Sequence, residues 1–326
     1  MKKENKMPQL ILKGSALYLD MERKIGESKL DYVMLNLPFQ CNYQCGKCCN
    51  RNRAYKKGRL QLGQIQNFIW RCKNLGARVL VMVGEGEPTL DHNFRKIIAY
   101  TNKIGLTPYI FTNGSMLNRE LAIFLTQNNA SLIINIDFLD ANKYDKAVNK
   151  KGAFKELMEN IRITREIYRP KIFTLGRFQV TYLAVNLVLN NENFSQIKKI
   201  KEFCNDDILF VVNKPIKIGA AAQSWEKFDQ AEDLLISPEV SYPLGTVVEG
   251  EPCAYLRHGI SVGSDGSVLA CAYALETSGL FGDIDDDIVS ARAEILKAID
   301  DFYKKHGWSR CIVRHPKYNL FKKEKR

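Results

Sequence analysis

The sequence predicts an α/β protein, a partial (β/α)6 barrel of the TIM type followed by a smaller C-terminal region. Three observations lead there. From Tyr32 to about Val212, short β-branched runs alternate with longer stretches of helical apolar period, the pattern of repeated βα units around a parallel sheet. Six such units fall short of the eight that close a full barrel. At 326 residues the chain has room for that barrel and one appendage.

Residues 1–30 precede the first strand candidate and form an N-terminal extension. The strand candidates are Tyr32 to Leu37, Arg78 to Val83, Thr107 to Thr112, Ser131 to Ile136, Gln179 to Leu189 and Ile208 to Val212. Amphipathic segments fall at about Leu62 to Leu75, Asn93 to Ile104, Asn118 to Gln127, Ala153 to Tyr168 and Phe194 to Cys204, each long enough for a crossover helix. After Lys214-Pro215 the pattern breaks into Ala220-Ala221-Ala222, a polar stretch, and Pro238, Pro243 and Pro252. A domain boundary is therefore expected near residue 220, giving a core of residues 31–220 and a C-terminal domain of residues 221–326. That domain holds a hairpin from Gly259 to Leu269, turning at Asp265-Gly266, and a helix from about Val289 to Lys304. No internal repeat of fixed period is apparent.

Composition narrows the function classes. Hydrophobic residues at 45% and charged ones at 26% exclude disordered, collagen-like and disulfide-stapled chains. No stretch approaches the roughly 18 apolar residues of a membrane span, and Leu10-Ile11-Leu12 is too short for a signal-peptide core. A cytoplasmic location away from membranes is the expectation. Nine cysteines in such a chain are expected to be metal ligands or catalytic thiols rather than disulfides. The net charge of +12 would suit an anionic partner such as a nucleic acid. Much of it sits at the ends, in Lys2, Lys3, Lys6, Lys317, Lys322, Lys323, Lys325 and Arg326, where solvation accounts for it.

Directly after the first strand comes Cys41-Asn42-Tyr43-Gln44-Cys45-Gly46-Lys47-Cys48, followed by Cys49. Three thiolates this close can converge on a soft centre: an iron-sulfur cluster, zinc or Cu(I). A closed structural site normally takes four ligands, so three leave one metal position open. The spacing alone does not choose between Cys48 and Cys49. Further motifs end the next three strands: Gly84-Glu85-Gly86-Glu87-Pro88, Thr112-Asn113-Gly114 and Asn135-Ile136-Asp137. Strand-end glycines let carbonyls approach a ligand, and carboxylates, carbonyls and Asn oxygens accept from ammonium and hydroxyl groups. Taken singly, Asn-Gly is a turn, Gly-Glu-Gly a loop and Asp137 a cap. Their shared position at successive strand ends makes them one site.

With these residues in place the chain resembles the radical S-adenosylmethionine (radical SAM) enzymes, over roughly Asp31 to Val212 and more loosely to Cys311. The resemblance implies a 4Fe-4S cluster on Cys41, Cys45 and Cys48, whose open iron takes the amino and carboxylate groups of S-adenosylmethionine. It places Gly84, Glu85, Gly86, Glu87 and Pro88 against the methionine amino group, Asn113 and Gly114 beside the cofactor, and Asn135 and Asp137 near the ribose. It implies no catalytic residue beyond the cluster ligands. The implied chemistry is reductive cleavage of the cofactor to methionine and a 5′-deoxyadenosyl radical that takes hydrogen from a substrate, with electrons from a flavodoxin- or ferredoxin-type donor. There are two departures. Lys47 stands where relatives are often aromatic, which leaves the adenine-packing contact open, and Cys48 is preferred over Cys49 by resemblance alone.

The segment Cys253-x12-Gly266-x4-Cys271 resembles the start of the auxiliary-cluster domains called twitch and SPASM, and Cys311-Ile312-Val313-Arg314-His315 lies where the twitch form carries a second cysteine pair. This implies a second 4Fe-4S cluster on Cys253, Cys271 and Cys311. Its fourth place falls to His315, to a distant residue such as Cys204 or Cys49, or stays open to substrate. Cys72 and Cys204 lie on helix candidates and read as small buried apolar side chains. The expected function is an oxidation or other modification, assisted by that cluster, of a small metabolite such as a sugar or aminocyclitol, or of a ribosomal peptide. Residues 1–30 are too few for a leader-binding module, so a peptide would need a partner or direct recognition. The alternatives are a tRNA-modifying enzyme of the same family and a non-catalytic iron-sulfur or zinc-binding interaction protein.

Overall fold

The βα alternation is present in the computed structural model, which describes residues 9–36, 40–51, 60–84, 86–213, 216–223, 253–277, 279–307 and 311–321. An N-terminal pair, β1 (Gln9–Leu12) and α1 (Ala16–Glu22), comes first. The barrel segment follows as β2 (Tyr32–Leu35), α2 (Leu62–Asn74), β3 (Val79–Met82), α3 (Phe94–Lys103), β4 (Thr107–Thr112), α4 (Arg119–Gln127) and β5 (Ser131–Asn135). It continues with α5 (Ala141–Val148), α6 (Ala153–Tyr168), β6 (Phe173–Leu175), β7 (Phe178–Thr181), β8 (Leu183–Val188), α7 (Gln196–Cys204), β9 (Leu209–Asn213) and α8 (Gly219–Gln223). The C-terminal region adds α9 (Ala254–Arg257), β10 (Gly259–Val262), β11 (Val268–Leu269), α10 (Ile288–His306) and α11 (Tyr318–Phe321).

The main sheet has eight strands in the order β11-β10-β2-β3-β4-β5-β8-β9. Every pairing is parallel except that of β10 with β11. Strand faces alternate. Leu80 and Met82 pack with Phe68, Ile69, Phe94 and Ile97 of the outer helices, while Val79 and Val81 turn inward with Tyr32, Met34, Tyr109 and Ile133. The helices form because their apolar residues fall on one stripe: α3 buries Phe94, Ile97, Ile98 and Thr101. Their starts are capped, as where Asn118 accepts from the Leu121 amide of α4 at 2.9 Å.

Three features depart from the expected layout. The expected strand Gln179 to Leu189 is two strands, because Thr181 Oγ1 accepts from the Leu183 amide at 3.2 Å and donates to the Asp207 carbonyl at 2.8 Å, turning the chain at Tyr182. β7 then leaves the barrel sheet and pairs parallel with β1 and antiparallel with β6. The N-terminal extension is thus built into the barrel: Ile11, Leu12, Tyr18 and Leu19 fill its interior. They do so at the end from which the strands start, where Lys13 donates its amide to the Thr181 carbonyl at 2.9 Å and accepts from Ser131 Oγ at 2.8 Å. Lastly, β10 pairs parallel with β2, so the expected hairpin extends the core sheet directly.

Arg78 locks this lower end. Its guanidinium reaches Asp31 Oδ1 at 2.7 and 3.0 Å and the Leu19 carbonyl at 2.7 Å, while Gly26 donates its amide to the other Asp31 oxygen at 2.8 Å. With that end plugged, the strand C-termini are the face left for a site. Among the described residues no helix is long and apolar enough to cross a membrane.

Candidate active site

The loop after β2 carries Cys41 exposed and Cys45 and Cys48 half-buried. Burial pushes the Cys41 thiol up, with Glu87 and Cys48 adding to it. Burial likewise pushes Cys45 up to about 12, reinforced by Cys48 and Cys41 and opposed by Lys47. Cys41 and Cys45 therefore each feel the neighbouring thiols, and a cation among them would favour their thiolates. Two N–H groups already serve sulfur: Asn113 Nδ2 lies 3.8 Å from Cys41 Sγ and the Arg51 amide 3.3 Å from Cys48 Sγ. This donor set, three soft ligands with amides directed at sulfur, fits an iron-sulfur cluster with an open position. Among the described residues no three His, Cys, Asp or Glu side chains stand within reach of one metal ion.

The loops after β3 and β4 are bolted together by Glu87. Its carboxylate, 2% exposed, accepts from Thr89 Oγ1 at 2.6 Å, Thr89 N at 3.3 Å, Thr112 Oγ1 at 2.6 Å and Asn113 N at 2.6 Å. Burial holds its carboxyl above the usual range, with those donors opposing. Its own amide donates to the Gln40 carbonyl at 3.1 Å, one residue before the cysteine loop. Glu87 thus shapes the site from within, and Pro88 opens the short 3-10 turn it caps.

Asn113 donates to Asn42 Oδ1 at 2.8 Å, and Gly114 sits at φ +78° with Leu157 Cδ1 only 2.5 Å from where a Cβ would stand. Gly84, at φ +122°, packs against Asn36 Oδ1, which would lie 2.3 Å from an added Cβ. The Gly84 carbonyl accepts from Asn50 Nδ2. Asn36 is fully buried and its Oδ1 has no donor among the described residues, so an ammonium or N–H group brought to this loop would meet a vacant acceptor. Gly86 is half-buried on the same loop, and Glu85 lies outside the described residues.

At the end of β5, Asn135 joins a ladder that the sequence reading missed. Asn213 Nδ2 donates to Asn186 Oδ1 at 2.6 Å, and Asn186 Nδ2 donates to Asn135 Oδ1 at 2.7 Å. The signal was present: Met34-Leu35-Asn36, Ile133-Ile134-Asn135, Ala184-Val185-Asn186 and Val211-Val212-Asn213 each set an asparagine directly after two apolar residues. Asp137, nearly buried, accepts from the Val188 amide at 3.2 Å and pairs with the Lys47 ammonium. Burial pulls Lys47 down to about 8, while Cys45, Cys48 and Cys49 favour its charge.

In the C-terminal region Cys253, Cys271 and Cys311 are half-buried in one apolar cluster. Burial pushes Cys253 up to about 11 with Cys311 adding, and pushes Cys271 up with Cys311 and Cys253 adding, so these thiols also form a group. His315 is engaged elsewhere. Its Nδ1 accepts from the Lys317 amide at 3.1 Å, which leaves Nε2 protonated and donating to the Gly307 carbonyl at 3.0 Å. Phe302 packs edge-on against the ring at 5.0 Å. No ring lone pair is left for a metal. Cys204 is buried beside Arg165 and Asp207, whereas Cys49 and Cys271 both lie near the Tyr273 hydroxyl. Asn36 ties the regions together, donating from Nδ2 to the Ala272 carbonyl at 3.2 Å.

A three-thiol loop at the mouth of a plugged partial barrel, ringed by strand-end glycines and amides, defines a cofactor-dependent barrel enzyme. The chain belongs to the Radical SAM superfamily, whose sequence profile matches residues 35–204, more than half its length. It is therefore an enzyme of a family that uses a 4Fe-4S cluster and S-adenosylmethionine. It is 28% identical over 186 residues to the cysteine-type anaerobic sulfatase-maturating enzyme of Clostridium novyi (strain NT), covering 52% of this chain and 47% of that one. It is 22% identical over 204 residues to the sporulation killing factor maturation protein SkfB of Bacillus subtilis (strain 168), covering 59% and 46%. The chain thus spans about half the length of these two relatives. AdoMet-bound native anSMEcpe shares the fold with a TM-score of 0.59 at 16% identity, over 90% of this chain and 95% of that one. Streptococcus suis SuiB bound to its precursor peptide SuiA also gives 0.59, at 15% identity, over 84% and 66%.

Proposed function

We propose that this chain cleaves S-adenosylmethionine reductively at a cluster on Cys41, Cys45 and Cys48 and uses the resulting radical to modify a peptide or small molecule. The observation that carries this reading is the meeting of Cys41, Asn113, Glu87 and the Cys41-to-Cys48 loop at one barrel mouth. When bound, the cluster supplies the electron that splits the cofactor and so yields a 5′-deoxyadenosyl radical. The protein's own part is orientation and exclusion of water. The Gly84 loop with the vacant Asn36 acceptor receives the cofactor's ammonium. Asn135, at the end of its ladder, and Asp137 accept from the ribose hydroxyls. The β1/α1 plug closes the barrel's other end to solvent.

A second cluster on Cys253, Cys271 and Cys311 belongs to the same proposal, with its fourth position open or completed by Cys49, which shares the neighbourhood of Tyr273 with Cys271, since His315 is committed. It would accept one electron from the substrate radical as that radical loses a proton, completing a two-electron oxidation, and the division into residues 31–220 and 221–326 is the corresponding division of labour. A peptide substrate is supported by SuiB, solved with the precursor peptide SuiA, and by anSMEcpe, solved with the Cp18Cys peptide. A flavodoxin- or ferredoxin-type donor in a reducing cytoplasm completes the scheme.

The test is 5′-deoxyadenosine formation by the anaerobically reconstituted, reduced chain. Wild type forms it and Cys41→Ala/Cys45→Ala/Cys48→Ala does not; equal formation by both would overturn the reading.

A further inference from the structure

We propose that Lys47 tunes the reduction of the Cys41/Cys45/Cys48 cluster electrostatically, its ammonium held beside the ligands by Asp137. This rests on the proposed cluster and concerns a residue where the chain departs from its family's pattern. Lys47 stands between two of the three ligands in the sequence. Its side chain is 17% exposed, and its ammonium pairs with an Asp137 carboxylate that is 5% exposed. Asp137 is itself fixed, because its other oxygen accepts from the Val188 amide of β8 at 3.2 Å. The lysine therefore crosses from the cysteine loop to the ends of β5 and β8, and its position is set from both sides.

An aromatic side chain at this place brings adenine-packing surface and no net charge. Lysine brings a full positive charge into a poorly solvated pocket. Reduction adds one electron, taken from the external iron-sulfur or flavin donor, to a centre already ringed by thiolates. A fixed cation alongside stabilises the form that carries that electron, and an anion alongside disfavours it. Asp137 partly offsets the lysine, so the two side chains act in opposite senses. Lys47 acts through the cluster and is not a catalytic residue.

The experiment is an anaerobic potentiometric titration of the full, reconstituted chain without S-adenosylmethionine, read by the electron paramagnetic resonance signal that Cys41→Ala/Cys45→Ala/Cys48→Ala abolishes, with iron counted in each sample. At a fixed solution potential, Lys47→Gln is expected to lower the ratio of reduced to oxidised cluster about tenfold, the effect a unit charge has within about 12 Å of the added electron at an effective dielectric of ~20. Lys47→Arg restores the ratio, and Asp137→Asn raises it. Opposite shifts from the two members of one pair are not produced by a general loosening of the loop. Shifts in the same direction, or unchanged ratios at wild-type iron content, overturn the proposal. Should Lys47→Gln take up no iron, Asp137→Asn decides alone: a raised ratio supports the proposal and an unchanged or lowered one overturns it. Absence of iron from wild type would instead overturn the cluster reading itself, and this inference with it.

Discussion

Single residues at the site have separable jobs. Glu87 is a buried bolt whose carboxyl is held up by burial against four donors, so its neutral form is favoured on folding relative to the unfolded chain. Its contribution to stability is therefore greatest below the ordinary carboxylate range and declines as pH rises through its raised value. Glu87→Gln is expected to remove that decline and to cost about 1–3 kcal/mol through unpaired donors. Urea unfolding of both proteins across the acidic range checks this, and an unchanged pH slope would refute it. Gly84 faces the opposite constraint: its positive φ and the nearby Asn36 leave no room for a methyl group. Gly84→Ala should weaken S-adenosylmethionine binding at least tenfold (~1.4 kcal/mol) at unchanged iron content, measured by equilibrium dialysis. His315→Ala should keep the full iron content and lose about 1–3 kcal/mol of stability, because both ring nitrogens are spent on backbone groups. Iron loss in that variant would restore His315 as a ligand.

Elements show where the sequence was legible. Outer helices and inner strands were readable because each buries a periodic face, and α10 was found nearly whole, beginning at the Asp287 cap. The motifs at four strand ends were readable because cysteine, glycine and asparagine at a β-to-α junction are rare without a reason. The split of β7 from β8 was hidden, since Gln179 to Leu189 reads as one β-branched strand and the break depends on Thr181 bonding Asp207 across space. The plug was hidden for the same reason: β1 finds its partner at β7, far along the chain. Its lock makes a prediction at this scale. Asp31 is fully buried and its partner Arg78 nearly so, so Asp31→Asn should destabilise the chain by about 3–5 kcal/mol, leaving a buried cation uncompensated. Denaturant unfolding reads this directly, and a change below about 1 kcal/mol would show that the plug is held by packing alone.

On the scale of the whole molecule, one sheet runs from β11 through the barrel to β9, and one apolar cluster takes in both cysteine-bearing regions. The link through Asn36, from the Gly84 loop to the carbonyl beside Cys271, gives the two cysteine groups a shared scaffold. The central claim is that each group holds a cluster. Iron and sulfide per chain after anaerobic reconstitution test it most directly, comparing wild type with Cys41→Ala/Cys45→Ala/Cys48→Ala. The account predicts about eight irons in wild type and about four in the variant. Values of about four and about zero would contradict it, leaving Cys253, Cys271 and Cys311 as structural thiols.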